Sequence, residues 1–252
     1  MKTNIKDAIV KLERGEFYTQ VADDELSVLG TVKGYRKLAH YCGIKLLTPP
    51  RLTFNGEDRS NPHVISTNGH IEVVSRKIAF GFDYNGEPVA VDQTIIFSPI
   101  NYLAKKLIEL AKKYPGIAEI KNMASIKPAD LKQGMFISMI DSGVTNIGVW
   151  VKNLGHPELE NVWSEYHESV LYSERSAQTI CERTALKKHS AIPAFTQSML
   201  SDDGSQLNVP IKFWKLNAEE SSNLSEMASK IELGKEVDVK RTISIGDGKE
   251  EK

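Results

Sequence analysis

Four side chains raise the first chemical question. Arg175, Thr179, Arg183 and Lys187 recur at every fourth residue, so on a helix they form one polar stripe. Two guanidiniums, an ammonium and a hydroxyl in a row suit a row of phosphates. Guanidinium binds phosphate bidentately, and threonine adds a hydrogen bond. Lys188 follows directly and adds charge. Successive stripe positions rise about 6 Å along a helix, close to the phosphate spacing of a stretched single strand. The other side of the same stretch, Ala177, Ile180, Cys181 and Thr184, is small and apolar, which lets the helix press closely on a sheet. The stripe equally suits a solvated face whose cations bridge to Glu174 and Glu182.

Other basic residues fit the same chemistry. Lys33, Arg36 and Lys37 share an early helical stretch. Arg76 and Lys77 are adjacent in a strand-like run and so point to opposite faces. Lys105, Lys106, Lys112 and Lys113 lie along a middle helix. Aromatic residues interleave: Tyr35 beside Arg36, and Phe80 and Phe82 beyond Lys77. Such rings stack on unpaired bases or fill a core.

Covalent chemistry has less to work with. The sequence lacks a GxxxxGK[ST] loop, a GxGxxG turn after a strand and a GxSxG elbow. Its six histidines are scattered, without HExxH or zinc-ligand spacing. Asp83 and Asp92, on facing strands near a hairpin turn, and His167 beside Glu168 are the residual acid–base candidates. Each also reads as an ordinary turn or surface residue. The expectation is a protein that is not an enzyme and uses neither metal nor cofactor.

The elements that must position these residues follow from periodicity. Thr31–Cys42 has apolar residues at helical spacing and Gly43 as its stop. Met1–Leu26 reads as a polar lead-in with some helix, and Arg51–Asn68 as a loop with room for a short strand. Ile71–Phe82 and Val89–Phe97, joined through Asn85-Gly86, read as a β-hairpin with a type I′ turn. Ser98-Pro99 opens a helix to about Tyr114. Met135–Ile140 and Asn146–Val151 form a second hairpin. One long helix is expected from about Leu159 to Lys188, with a seam at Trp163, Tyr166, Val170, Ala177, Cys181 and Thr184 or Ala185. A strand over Leu207–Leu216 and a helix over Ala218–Leu233 follow.

The expected fold class is α+β: antiparallel β-hairpins forming a sheet packed against a long helix, with flanking helices. The expected division is a core over 1–200, a strand-and-helix appendix over 201–233, and a disordered charged tail over 234–252. The 252 residues are 40% apolar and 26% charged, ordinary for a globular protein with a real core. The 32 Lys and Arg nearly balance 33 Asp and Glu, which excludes a uniformly basic nucleic-acid binder but not a local basic face. Two cysteines, Cys42 and Cys181, cannot form a disulfide framework and suggest a reducing compartment. No apolar run is long enough to span a membrane, and the first residues lack the apolar core of a secretion signal. A cytoplasmic location is expected.

Three stretches resemble phage and mobile-element single-strand annealing proteins, the broad RecT, Redβ and ERF group. They are the early helix GYRKLAHYCGI (34–44), the hairpin VSRKIAFGFDYNGEPV (74–89) and the late helix SERSAQTICERTALKKH (173–189). The resemblance covers roughly Lys33 to Ile192. It implies ATP-independent annealing of complementary single-stranded DNA in homologous recombination, inside a bacterial host cell. It also implies a homo-oligomer, either a ring or a helical filament, working beside an exonuclease and a single-strand-binding protein. By position, Arg175, Arg183 and Lys187 would contact phosphates, with Arg76 and Lys77 as second candidates. The alternative from the same observations is a self-assembling phage structural protein without nucleic-acid activity.

Overall fold

A computed structural model describes residues 5–22, 25–67, 70–141, 145–233 and 240–247. In chain order the elements are β1 (Ile5–Glu13), β2 (Phe17–Ala22), β3 (Glu25–Gly30), α1 (Val32–Tyr41), β4 (Lys45–Leu47), β5 (Arg51–Phe54), β6 (Glu57–Ser60), β7 (His63–Thr67), β8 (His70–Phe82) and β9 (Pro88–Phe97). They continue with α2 (Pro99–Lys113), β10 (Ala118–Asn122), β11 (Met135–Asp141), β12 (Asn146–Val151), α3 (Pro157–Leu171), α4 (Ser173–Lys187), β13 (Gln206–Trp214), α5 (Ala218–Glu232) and β14 (Lys240–Asp247). The fold is α+β.

The chain forms two compact units. The first comprises Met1–His63, Val73–Ile96 and Glu174–Lys252, and the second Val64–Glu72 and Phe97–Ser173. The first is built on the sheet order β14-β9-β8-β4. Alternation along its strands sends successive side chains to opposite faces. On one face Ala79, Val89 and Val91 pack with Tyr35, Leu38 and Ala39 of α1 and with Ala185 and Leu186 of α4. On the other, Ile78, Phe80 and Ala90 pack with Leu224 and Ala228 of α5. The ribbon β1–β13 adds Val10, Leu12, Leu207 and Val209 to the first of these cores. The second unit lays α2 and α3 on the sheet β10-β12-β11, with Leu103, Leu107, Val149, Val151 and Leu159 at its centre.

Helix α1 follows its sequence signals. The Thr31 hydroxyl accepts from the Gly34 N–H at the N-terminus, and Gly43 sits at φ +67° just past the end. Several expectations are corrected. The described residues of the lead-in are strand rather than helix: they are β1, β2 and part of β3, because Val10 and Leu12 alternate into the core while Lys11 and Glu13 stay out. Arg51–Ser60 is a hairpin, β5–β6, turning at Asn55 (φ +50°) and Gly56 (φ +79°).

The turn between β8 and β9 is not type I′, since only Gly86, not Asn85, has a positive φ. The Asp83 carboxylate accepts from the N–H groups of Asn85 and Glu87 (2.8 and 2.9 Å) and sets that turn instead.

The single long helix is two helices. Tyr172, at φ −104° and ψ 19°, closes α3 by donating its N–H to the carbonyls of Glu168 and Val170. The apparent seam runs across this break, where Leu171 and Tyr172 are exposed rather than buried. Serine at position 173 suits a helix start better than a helix interior. The supposed appendix is integral: β13 pairs with β1 along its length, and α5 covers one face of the main sheet. Within the tail, read as disordered, Lys240–Asp247 form a strand parallel to β9. The remaining tail positions, and residues 142–144 between the strands of the second hairpin, lie outside the described residues.

Candidate nucleic-acid interface

Helix α4 sits on the sheet through its smallest residues. Ala177, Cys181 and Ala185, one turn apart, are fully buried. The Cys181 thiol reaches the Ser75 and Gln93 carbonyls of β8 and β9 at 3.3 and 3.1 Å. Burial pushes the thiol up to about 12, so it is a structural contact and not a nucleophile. The stripe lies on the accessible side. Arg175 and Lys187 are exposed, and Thr179 and Arg183 are half-buried. Lys188 is exposed and donates to the Gln93 side chain at 3.1 Å.

The helix carries two acids, Glu174 and Glu182. Glu182 is buried, its side chain 5% accessible, and pairs with Arg36 of α1 through two hydrogen bonds, one of 2.7 Å. The Arg36 guanidinium caps it from the solvent side, with 62% of its side chain exposed. That hydrogen bonding raises the Arg36 pKa further. This carboxylate is therefore neutralised from α1, whereas Glu174, the other acid of the helix, is exposed beside Arg175.

The remaining candidates have structural partners. Arg76 grips the buried Asp92 with two bonds of 2.9 and 2.6 Å. Its main chain is clamped by the Asn61 side chain, which donates to the Arg76 carbonyl at 2.8 Å and accepts from its N–H at 2.9 Å. Lys77 is buried and donates to the Thr48 hydroxyl at 2.7 Å. Lys37 pairs with Glu16 at 2.8 Å. The structure thus brings Arg36 beside α4, while Arg76 and Lys77 lie on opposite faces of the main sheet.

The acid–base candidates do not assemble. Asp92 is held by Arg76 and Asp83 by its own turn. His167 and Glu168 are both exposed on α3. Among the described residues no group of three or more His, Cys, Asp or Glu is arranged to hold a metal ion. Among the same residues no helix is long and apolar enough to cross a membrane.

The aromatic candidates are core. Tyr35 and Phe80 are buried, and Tyr35 stacks on Phe195 with ring centroids 5.2 Å apart. A ring that the sequence reading passed over is Tyr18, on β2, with 43% of its surface exposed. Its neighbour Phe17 is buried and pairs across the hairpin with Gly30. The rings of Tyr35 and Phe195 lie directly against that glycine, where no side chain would fit. Burial raises the Tyr35 pKa. The charge of Arg183 opposes this in part and the Tyr18 phenol adds to it. The signal for Tyr18 was the alternation of a buried Phe17 with an outward Tyr18, visible once the lead-in is read as strands.

No protein-family model matches the chain, and neither does any curated protein or solved structure.

Proposed function

We propose that this chain binds single-stranded DNA along the accessible edge of α4 and, as a homo-oligomer, anneals it to a complementary strand without ATP. The observation that carries the reading is the two-sidedness of α4. One side is seated on strand carbonyls through Ala177, Cys181 and Ala185, and the other presents Arg175, Thr179, Arg183 and Lys187 at one-turn intervals. A helix so seated holds its cations at fixed spacing, and phosphate contacts then position a backbone without reading its sequence. Pairing of Glu182 with Arg36 neutralises one of the two carboxylates on this helix. The bases stay outward, free to pair. In this reading Arg76, Lys77 and Lys37 support the fold, and Lys188 lies at the end of the track.

The test is fluorescence anisotropy of a labelled, unstructured oligonucleotide at several salt concentrations, followed by its complement. Binding should weaken steeply with salt, because each phosphate contact on a single strand contributes about 0.7 to the logarithmic salt slope. Arg175→Ala with Lys187→Ala should lower that slope by about 1.4. The complement should pair faster with protein than without. Absence of binding at low salt overturns the reading, and self-assembly without DNA would then favour a structural protein. An unchanged slope in the double variant overturns the assignment to α4.

A further inference from the structure

We infer that the free edge of β1 is a self-association surface, on which a second copy of this chain pairs antiparallel about Ile9 and joins the two ribbons into one four-stranded sheet. Such a dimer deepens the proposed homo-oligomer, rests on that part of the reading alone, and needs no DNA to form.

Strand β1 pairs with β13 along one edge, and among the described residues no strand occupies the other. Pro210 shows which groups that edge carries. It stands opposite Ile9 and has no N–H, so this pair cannot exchange the two hydrogen bonds of a narrow antiparallel pair. The N–H and C=O of Ile9 therefore point away from β13, as do those of Asp7 and Lys11, two residues to either side. Glu13 continues the series. Its N–H donates to the Glu16 carboxylate at 2.8 Å, and its carbonyl accepts from the Glu16 N–H at 2.9 Å. Asp7, Ile9 and Lys11 have no such partner among the described residues.

Open edges are commonly blunted by proline, a bulge or charge. β1 has no proline, its register with β13 is unbroken, and its charges fit their own copy. Ile9 is the centre of Ile5–Glu13. Pairing about a two-fold axis there sets Asp7 opposite Lys11 of the second copy, twice, and Ile9 opposite Ile9, all on one face. Slipping one strand by two residues sets Asp7 opposite Glu13 instead, and in-register parallel pairing lays Lys11 beside Lys11. Opposite charges thus select the two-fold register. Within its own ribbon Lys11 faces Asn208, so its carboxylate comes from the second copy. Ile9, 69% exposed in the single chain, is covered by its counterpart.

Sedimentation velocity without DNA, over a range of micromolar concentrations, should show a reversible monomer–dimer equilibrium. Ile9→Lys sets two ammonium groups against each other on the axis. It should raise the dissociation constant at least about tenfold, as expected of like charges juxtaposed at an interface. Lys11→Glu, which then meets Asp7 twice, should weaken the dimer as well. Both side chains are exposed, so circular dichroism should show both variants folded. Ile9→Cys should cross-link under mild oxidation, because directly opposite Cα atoms lie about 5.5 Å apart, within disulfide reach. Glu13→Cys, about 27 Å from its counterpart, should not. A monomer at every concentration overturns the inference. So does a dimer that Ile9→Lys leaves at full strength or that Ile9→Cys fails to link. If that monomer still binds the oligonucleotide, the α4 reading stands. A dimer that binds no oligonucleotide overturns the DNA-binding reading and leaves this interface in place.

Discussion

At the scale of single residues, the arginines divide by what they touch. Arg76 holds a carboxylate that is almost wholly buried, so removing its guanidinium takes away the ion pair that balances a buried charge. Arg76→Ala should cost about 3 kcal/mol of stability, read by chemical denaturation. Arg175 is exposed on the outer side of α4. Arg175→Ala should stay within about 0.5 kcal/mol of wild type while weakening binding to a single strand. A large loss of stability from Arg175→Ala, or none from Arg76→Ala, would contradict this division. The sequence placed both arginines in one class because it shows charge and not partners. Nothing local to Arg76 marks Asp92, sixteen residues on, as its acid, and nothing near Glu182 marks Arg36, which lies on a different helix.

At the scale of elements, the decisive feature is how near α4 lies to the sheet. Along one row of its buried side stand two alanines and a cysteine, with the thiol in contact with strand carbonyls. Ala177→Leu should force the helix off the strands and cost about 1–3 kcal/mol, seen as a lower denaturation midpoint. Unchanged stability would mean that the gap is wider than these contacts imply. That close packing was legible in the run of small residues, as were α1, the strands of both main hairpins, α2 and α5. Each of those has its signal inside its own segment, such as Thr31 and Gly43 for α1 or Pro99 for α2.

The elements misread are those whose reason lies elsewhere in the chain. β1 is a strand because β13 pairs with it. The end of α3 at Tyr172 is invisible to a heptad count that runs through Leu171 and Ser173 without interruption. Tyr18 was lost with the lead-in: a ring on an unrecognised strand has no face to be assigned to.

At the scale of the whole molecule, pH acts through His189, just past the end of α4. It is buried, its Nδ1 accepts from the Ala191 N–H at 3.2 Å, and its Nε2 makes no hydrogen bond. Burial lowers its pKa from 6.5 to about 4, opposed in part by the Val89 backbone and the Asp83 carboxylate. The unfolded chain therefore takes up this proton first as pH falls. Stability from His189 is complete above about pH 6.5, declines toward pH 4 and is level below. The loss over that window is on the order of 3 kcal/mol. Thermal denaturation across pH 4–7.5 should show it, and His189→Gln should flatten that part of the profile. An equal slope in the variant would place the titration elsewhere.

The pairing of β1 with β13 also bears on how the protein is made. Leu12 meets Leu207 across that ribbon, so a strand synthesised near the start waits for a partner made near the end. At ribosomal rates of about 5–20 residues per second the wait is roughly 10–40 s. During it Val10 and Leu12 have no permanent cover and the strand edge stays open, the condition under which nascent chains aggregate or recruit chaperones. Closure of so long a loop also raises the contact order and slows the final step. Refolding should therefore show early protection in the second unit, whose segments are mostly contiguous, and late protection at β1.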